Sequence, residues 1–350
     1  MSRLVHIAAP VSSASPSASV LPSRRRLLSS LLLAVFVAWL PAACAPPEDG
    51  SGEENLTPLS VGTFTSDSSG FDTHSFFVDT GREVIVFDAQ FTPELARAAI
   101  AQIQASTRSP ITHVVVTHPN PDKFNGLSAF QAIGAQAIAS RATAAAVPAV
   151  HAYKKNYFVN VAKLFAEASY PAEARIDQTF VGELVLPLRS GHRLTLRELS
   201  HSGVSSTQTV AYLPAAQALF VGDLVHHRTH AWLEGGIVSG RAVPTLSAWG
   251  AALDELLPFP ATTVYGGRGE PAVLSSAVFE QASYLAEIED LARAYVASLG
   301  ASAKSELSGP GASAHYQILA ERAAQKYPQY AMPYLIQYGV YGLLNQVAGL

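Results

Sequence analysis

The sequence predicts a layered α/β domain, and three observations support this prediction. Predicted strands and helices alternate between residues 75 and 168, which is typical of a sheet covered by helices. Of the 350 residues, 49% are hydrophobic and 14% are charged, and the low charge disfavours disorder outside the ends. A chain of this length can bury a sizeable core in one large or two modest domains.

The charge balance disfavours a nucleic-acid partner. The formal net charge is −4, and without residues 1–43, which carry four arginines and no acidic residue, 19 basic residues face 27 acidic ones. Phosphate binding requires an excess of Lys and Arg. The single cysteine, Cys44, excludes an internal disulfide bond.

Residues 1–43 are predicted to be an export signal. Three arginines at residues 24–26 precede an apolar run of about 14 residues that ends at Leu40. This run is too short to span a hydrocarbon core of about 30 Å, but it fits a signal peptide. The arginines resemble a twin-arginine motif, and the small residues before Cys44 resemble a lipoprotein cleavage site. A plain secretory signal and an uncleaved anchor remain alternatives.

Residues 44–60 are rich in Pro, Gly and acidic residues and are predicted to be a flexible tether. We therefore expect an exported protein, a periplasmic or cell-surface lipoprotein of a bacterium. Its membrane contact is expected to be the N-terminal lipid anchor alone.

The folded region is predicted to begin near Val61. Residues 75–88 indicate two strands joined by a glycine turn. Residues 93–104 indicate a helix, with Thr92 as its N-cap and Pro93 at its first position. A strand at 111–116, a helix at 128–133, a strand at 135–139 and a largely helical segment at 141–168 follow.

The loop after the strand at 111–116 carries an unusual set of polar residues. His118, Asn120 and Asp122 follow one another at two-residue intervals, and Pro119 and Pro121 disfavour regular ladder or helix pairing. In an extended loop, alternate side chains point the same way. We therefore expect these three side chains to converge on one point.

This loop resembles the metal-binding signature of the metallo-β-lactamase superfamily, His-x-His-x-Asp-His followed by x-x-Gly. The chain keeps His118, Asp122 and Gly126, but Asn120 and Lys123 replace the second and third His. The resemblance implies a four-layer αββα sandwich, here at residues 61–299, with a C-terminal helical and aromatic extension at residues 300–350.

Three later landmarks of the superfamily follow in order. His201 stands where the next metal-binding His is expected, Asp223 matches the bridging Asp, and Arg268 replaces the His of a Gly-His-Gly turn. The resemblance implies a metal-assisted hydrolase with two metal ions. Because Lys and Arg side chains offer no lone pair to a metal ion, we expect the second ion to be absent.

We expect Lys123 and Arg268 to pair with Asp122 and Asp223, replacing the missing charge. These four residues are the predicted catalytic group. The predicted ligands of one remaining zinc or other divalent ion, if any metal is bound, are His118, Asn120, His201 and Asp223.

Further candidates surround this set, and the predicted substrate-binding residues are His74, His226, His227, Tyr153 and Tyr157. Histidines 226, 227 and 230 could replace a lost ligand or act as a general acid or base, or they could simply be a polar surface turn. The tyrosines, together with Lys154, lie in an insertion that roofs the site in the family, unless they only pack a helix onto the sheet. His113 is expected in the core.

The predicted function is that of an exported hydrolase acting on an ester, lactone or amide through a mononuclear or cation-substituted site. The alternative is a non-catalytic relative that binds a small anionic ligand. Either way the partner is a small molecule, and the apolar end at residues 327–341 packs on the domain or in a homodimer.

Overall fold

Two six-stranded sheets lie face to face in the computed structural model, which describes residues 58–350. The strands of this region are β1 (Ser60–Thr65), β2 (His74–Asp79), β3 (Val84–Phe87), β4 (Ile111–Val115), β5 (Gln136–Ser140), β6 (Gln178–Phe180), β7 (Glu183–Pro187), β8 (Arg193–Glu198), β9 (Thr209–Leu213), β10 (Ala218–His226), β11 (Gly236–Val238), β12 (Arg241–Val243), β13 (Thr263–Arg268) and β14 (Ala272–Val273). The first sheet has the order β1-β2-β3-β4-β5-β6, and the second has the order β14-β13-β10-β9-β8-β7.

Helices cover the outer faces of both sheets. They are α1 (Pro93–Ser106), α2 (Pro121–Phe124), α3 (Leu127–Ala132), α4 (Arg141–Asn156), α5 (Leu246–Asp254), α6 (Leu274–Ser298), α7 (Ala301–Glu306), α8 (Ala312–Lys326), α9 (Tyr334–Gly339) and α10 (Tyr341–Ala348), and a short helical turn, Tyr157–Val161, extends α4. No helix in the described region is long and apolar enough to cross a membrane.

Alternation along the strands produces the four layers. Phe76 and Val78 of β2 point into the core between the sheets, whereas Phe77 points to the outer core under α1 and α3. In β3, Ile85 belongs to the inner core and Val86 to the outer one. Successive strand residues face opposite sides, so a strand buried on both faces is apolar throughout. The predicted αββα sandwich is confirmed.

Local signals placed several elements correctly. The hairpin of β2 and β3 occupies the predicted segment, and α1 begins at Pro93 with the Thr92 hydroxyl accepting from the Leu95 amide at 3.3 Å. The loop after β4 differs from its prediction: Pro121 opens the one-turn helix α2, which contains Asp122 and Lys123. Proline is compatible with the first helical position because that N–H has no partner there.

The C-terminal helices belong to the outer layer of the second sheet. Leu335, Ile336 and Leu344 are fully buried in the same apolar cluster as Trp249 of α5. The aromatic end therefore packs on the domain, and the homodimer stays a prediction. The export signal and almost all of the tether lie outside the described residues and stay predictions too.

A glycine lets the two sheets approach at one edge. Gly222 of β10 has φ +52°, and a Cβ there would lie 2.2 Å from the Thr117 hydroxyl oxygen. Only glycine adopts this conformation without strain. The close approach brings the residue after Gly222 next to the loop that follows β4.

We expect Gly222→Ala to lower the free energy of unfolding by roughly 2–4 kcal/mol, the sum of left-handed strain and overpacking. Gly250→Ala on α5 is the matched control, since nothing lies within 4 Å of its missing Cβ and alanine favours a helix by about 1 kcal/mol. Urea unfolding measures both, and equal effects would contradict the packing argument.

Candidate functional site

Four strands bring ionisable residues together at one edge of the sandwich. Asp88 follows β3, His118 lies in the loop after β4, Asp223 lies in β10 and Arg268 ends β13. The pairs β3–β4 and β10–β13 are both parallel, so the carboxyl ends of the paired strands meet at the same edge. Helix α2 adds Lys123 and Asp122 to this edge.

Lys123 is completely buried among carboxylates. Its ammonium nitrogen lies 2.7 Å from Asp223 Oδ1, 2.9 Å from Asp122 Oδ2 and 3.9 Å from Asp88 Oδ2. Its side chain is 0% exposed. The expected pairing of this lysine with both carboxylates is present, and Asp88 joins as a third.

Arg268 closes the cluster from the opposite strand. Its Nη1 donates to Asp223 Oδ2 at 2.6 Å, and its Nη2 lies 3.1 Å from Asp122 Oδ2. The guanidinium also donates to the Phe71 carbonyl at 2.8 Å and to the Thr73 hydroxyl at 2.9 Å. That hydroxyl in turn donates to Asp122 Oδ2 at 2.8 Å.

We call Asp88, Asp122, Lys123, Asp223 and Arg268 the ion-pair centre. Burial alone would raise the pKa of Asp122 and Asp223, but the two cations hold both pKa values below the usual range. The same attraction raises the pKa of Lys123 and of Arg268 against the effect of burial. All four side chains therefore stay charged at neutral pH.

Asp88 was missed by the sequence prediction. Burial raises its pKa to about 7, although Lys123 and the Thr117 amide act in the opposite direction. Its backbone has φ +67°, and its carboxylate accepts from the Thr117 amide and hydroxyl at 2.9 Å. The sequence signal that could have identified Asp88 is its position directly after the buried strand β3, which pairs with β4.

Two buried histidines flank Asp223. His118 Nε2 lies 3.7 Å from Asp223 Oδ2, and its Nδ1 lies 3.0 Å from the Thr117 hydroxyl. Neither ring nitrogen of His226 has a hydrogen-bond partner in the described chain. Burial lowers the pKa of His118 to about 4 and that of His226 to about 3, so both rings are neutral at pH 7.

His201 is not brought to the ion-pair centre, which corrects its predicted place among metal ligands. Its side chain is 51% exposed, and its Nδ1 lies 2.8 Å from Glu255 Oε1. Ser200 and His201 donate their amides to the same carboxylate. These three bonds hold the loop over the end of α5, away from Asp223.

A family model described as the metallo-beta-lactamase superfamily matches residues 69–268. The chain belongs to this superfamily. Solved structures of similar fold include a metallo-beta-lactamase from Pontibacter korlensis, with 21% identity, 65% of this chain and 94% of that chain covered, and a TM-score of 0.48. A comparison with curated protein sequences gives no match.

Two further structures are similar to a comparable extent. TMB-1 shows 15% identity and a TM-score of 0.45, and DIM-1 metallo-beta-lactamase exposed to ceftazidime shows 18% identity and a TM-score of 0.47. Each comparison covers 65% of this chain and 92% of the other. At this identity, the likeness concerns the fold alone.

Members of the superfamily usually bind zinc or another divalent metal, but the residues of this chain do not fit one. Lys123 Nζ and Arg268 Nη1 take the positions beside Asp122 and Asp223 where a metal ion would be coordinated. Between residues 58 and 350, no group of three or more His, Cys, Asp or Glu side chains is arranged to hold a metal ion.

A narrow pocket lies above the ion-pair centre. It admits the centre of a water-sized sphere over only about 20 Å³, which is room for about one water molecule. Asn120 lines it with Asp122 and Asp223, instead of joining a ligand set. The remaining lining residues are Phe71, Phe91, Pro121, Lys154, Phe158, Trp232 and Arg268.

The two predicted substrate tyrosines face a different cleft. Tyr153 and Tyr157 line a space of about 560 Å³ against the C-terminal helices, where the Tyr153 and Tyr341 hydroxyls lie 2.7 Å apart. The residues one position on, Lys154 and Phe158, line the pocket over the ion-pair centre. Residues four apart share a helix face. Lys154, which was named with the tyrosines, therefore reaches this pocket, whereas the two tyrosines lie on the neighbouring face.

Lys154 forms a second buried ion pair beside the pocket. Its ammonium group binds Glu234 and lies 4.7 Å from the centre of the Trp232 ring. The Trp232 indole N–H donates to the same carboxylate at 3.0 Å. Glu234 carried no motif in the sequence and was not predicted.

His74 and His227 lie outside the narrow pocket, next to backbone carbonyl groups. His74 Nε2 lies 3.1 Å from the Gly269 carbonyl oxygen, and His227 Nδ1 lies 3.0 Å from that of Glu270. Neither lines the narrow pocket. His113 is half-buried in β4, where its Nδ1 lies 2.9 Å from the Thr112 hydroxyl.

We expect Lys123→Met to lower the free energy of unfolding by roughly 3–5 kcal/mol, because it leaves buried carboxylates without a cation. The control is Lys155→Met, which removes an exposed pair with Glu167 and should cost about 0–1 kcal/mol. Denaturant unfolding of both variants at pH 7 measures the difference. Equal losses would show that the buried pair contributes no more than a surface pair.

The buried histidines predict a loss of stability in mild acid. Between pH 6.5 and 4 the unfolded chain protonates His118 and His226 while the folded chain does not, so stability falls as the pH falls. Asp88 opposes this, since its raised pKa makes the folded chain bind a proton first.

His226→Gln isolates one of these contributions. From pH 7 to pH 5 we expect the wild-type protein to lose roughly 1–2 kcal/mol more stability than this variant. Urea unfolding at both pH values measures the difference. Parallel pH profiles would mean that His226 titrates normally in the folded state.

Proposed function

We propose that this protein is a metal-independent member of the superfamily that binds a small, uncharged molecule next to the ion-pair centre. One observation carries the proposal: Lys123 and Arg268 lie within 3.1 Å of Asp122 and Asp223 and supply the positive charge there. A metal ion would have to displace two buried cations that are each held by carboxylates. The family's two-metal chemistry therefore has no place in the proposal.

A groove offers space for the ligand. About 540 Å³ is available beside Phe71 and Phe91, two rings that also line the narrow pocket over the ion-pair centre. Small-molecule sites typically occupy about 300–1,000 Å³ and are mainly apolar with a few polar groups. The other residues that line the groove are Ser68, Ser69, Thr92, Leu164, Phe165, Tyr334 and Tyr338.

The charges favour an uncharged ligand over the anionic one that the sequence suggested. Arg268 and Lys154 are the cations that line the narrow pocket, and both are already bound to carboxylates. An anion would therefore meet no uncompensated positive charge. The aromatic rings of Phe71 and Phe91, which line the groove, instead favour an apolar, planar molecule.

Hydrolysis of an ester, lactone or amide is the second candidate, and one observation favours it. The water-sized space over the ion-pair centre is lined by Asp122, Asn120 and Arg268, which together offer an acceptor, an amide and a cation. Against it, the lowered pKa of Asp122 makes this carboxylate a weak general base at neutral pH.

Metal analysis tests the metal-independent part of the proposal. We expect tag-free protein to carry far less than one zinc ion per chain, and its unfolding temperature to be unchanged by EDTA or by added zinc. A bound structural metal would stabilise the fold, and a chelator would remove that contribution. One firmly held metal ion per chain would refute this part.

Ligand binding is tested by isothermal titration calorimetry with the matched pair indole and indole-3-carboxylate. We expect indole to bind more tightly, and Phe91→Ala to weaken its binding about tenfold, which is about 1.4 kcal/mol. Phe279→Ala is the control, because Phe279 lies on α6 and is 73% exposed. Equal or tighter binding of the carboxylate would contradict the uncharged ligand.

A screen of esters, lactones and amides with wild type and Asp122→Asn separates the two candidates. Turnover that this substitution abolishes, in a variant that remains folded, would favour hydrolysis at the ion-pair centre over binding alone.

A further inference from the structure

The loop that carries His201 forms a second arrangement of reactive groups. His201 Nδ1 lies 2.8 Å from Glu255 Oε1, and the same oxygen accepts the His201 amide at 2.9 Å. Glu255 Oε2 accepts the Ser200 amide at 2.9 Å. The carboxylate is therefore held at both oxygens, and it holds the imidazole in turn.

The bonds to Glu255 determine which nitrogen of His201 is available. Burial would raise the pKa of Glu255, but the hydrogen bonds from Ser200 and His201 lower it overall. An ionised carboxylate only accepts hydrogen bonds, so the proton of a neutral His201 ring lies on Nδ1. Nε2, which has no hydrogen-bond partner in the described chain, keeps a lone pair that can accept a proton.

The position of Glu255 is unfavourable for the helix that carries it. Glu255 is the C-cap of α5, and a negative charge is destabilising at the C-terminal end of a helix dipole. A residue that is unfavourable for its own helix often has a functional role. Here the carboxylate of Glu255 orients the imidazole of His201.

This imidazole lies at a cleft that is separate from the ion-pair centre. The cleft has a volume of about 720 Å³ and shares no lining residue with the narrow pocket. His201, Ser202 and Ser206 line it beside an apolar wall formed by Val238, Val243, Leu246 and Ala251. Its size and lining fit a small molecule with an aliphatic chain.

We propose that His201 is the general base of a second site, which hydrolyses small carboxylic esters with an aliphatic acyl chain. Nε2 accepts a proton from a water molecule while the water oxygen forms a bond to the ester carbonyl carbon. The tetrahedral adduct then breaks its bond to the alcohol oxygen, which takes the proton back from Nε2. The ester and one water molecule give the acid and the alcohol.

Water is the nucleophile in this proposal, and Glu255 is a positioning residue. Ser206 lines the cleft, but its hydroxyl oxygen is buried and has no hydrogen-bond partner in the described region, so no base is placed to activate it as a nucleophile. In a Ser-His-Asp triad, a carboxylate at Nδ1 likewise holds the histidine in the tautomer and orientation for general-base action at Nε2. The site is independent of the proposed function at the ion-pair centre.

The test is the hydrolysis of 4-nitrophenyl butyrate by the full chain. We expect His201→Ala to lower kcat/KM by roughly 100-fold or more, and Glu255→Gln to lower kcat while KM is kept. A solvent deuterium isotope effect on kcat should be present in wild type, since a proton moves in the rate-limiting step.

Three controls keep the proposal falsifiable. Arg97→Ala removes an exposed side chain that lies 2.7 Å from Glu94, and it should leave kcat/KM unchanged. The chain unfolded in urea keeps all 11 histidines, so its rate measures the unspecific imidazole background. The unfolding midpoints of His201→Ala and Glu255→Gln show whether a loss of activity reflects a loss of fold.

Several results would overturn the proposal. Wild-type turnover no faster than that of the unfolded chain would do so, as would full activity in folded His201→Ala. Loss of activity in Asp122→Asn with normal activity in His201→Ala would assign the reaction to the ion-pair centre instead. Loss in Ser206→Ala would replace water by a serine nucleophile and refute the written step.

Discussion

The burial of three carboxylates at one sheet edge is the constraint on which the site depends. Asp88 follows a strand of the first sheet, Asp122 lies in α2 and Asp223 lies in a strand of the second sheet. None of them can be buried as an anion without a positive partner. Lys123 and Arg268 supply that charge from the two sides of the sandwich. The ion-pair centre therefore joins the two sheets. It also occupies the place where the superfamily has its metal-binding residues.

The same contacts explain why the site differs from that of a metallohydrolase. A metal ion and a buried ammonium group both neutralise carboxylates, but only the metal ion can bind and polarise a water molecule or a carbonyl oxygen. In this chain Lys123 has no free face, because three carboxylates and the protein interior surround it. In the proposed function the ion-pair centre holds the two sheets together, and the ligand binds in the open space beside it.

The histidines show how position changes the role of one residue type. His118 and His226 are buried next to Asp223, where desolvation keeps them neutral. His201 lies at the surface, where Glu255 holds its ring and leaves one nitrogen open. Proton transfer requires contact with solvent or substrate as well as a lone pair, and only the surface residue has both.

The sequence by itself determined the order of the layers and the pairing of Lys123 and Arg268 with Asp122 and Asp223. Apolar periodicity, the Thr92 cap and the landmarks of the superfamily are local signals. The ion pairs follow from the opposite charges of the four residues once the fold brings them together. The tertiary structure decided the rest. Asp88 and Glu234 carry no motif, and their roles arise from contacts between segments distant in the chain.

The misplacement of His201 and the tyrosines has the same physical reason. Glu255, 54 residues away in sequence, holds the His201 loop, and a helix turned by one residue exchanges Tyr153 for Lys154 at the pocket. Successive helix residues point about 100° apart. Which of them faces the pocket depends on how the helix is rotated about its axis when its side chains pack against the sheet, and no local pattern in the sequence encodes that rotation.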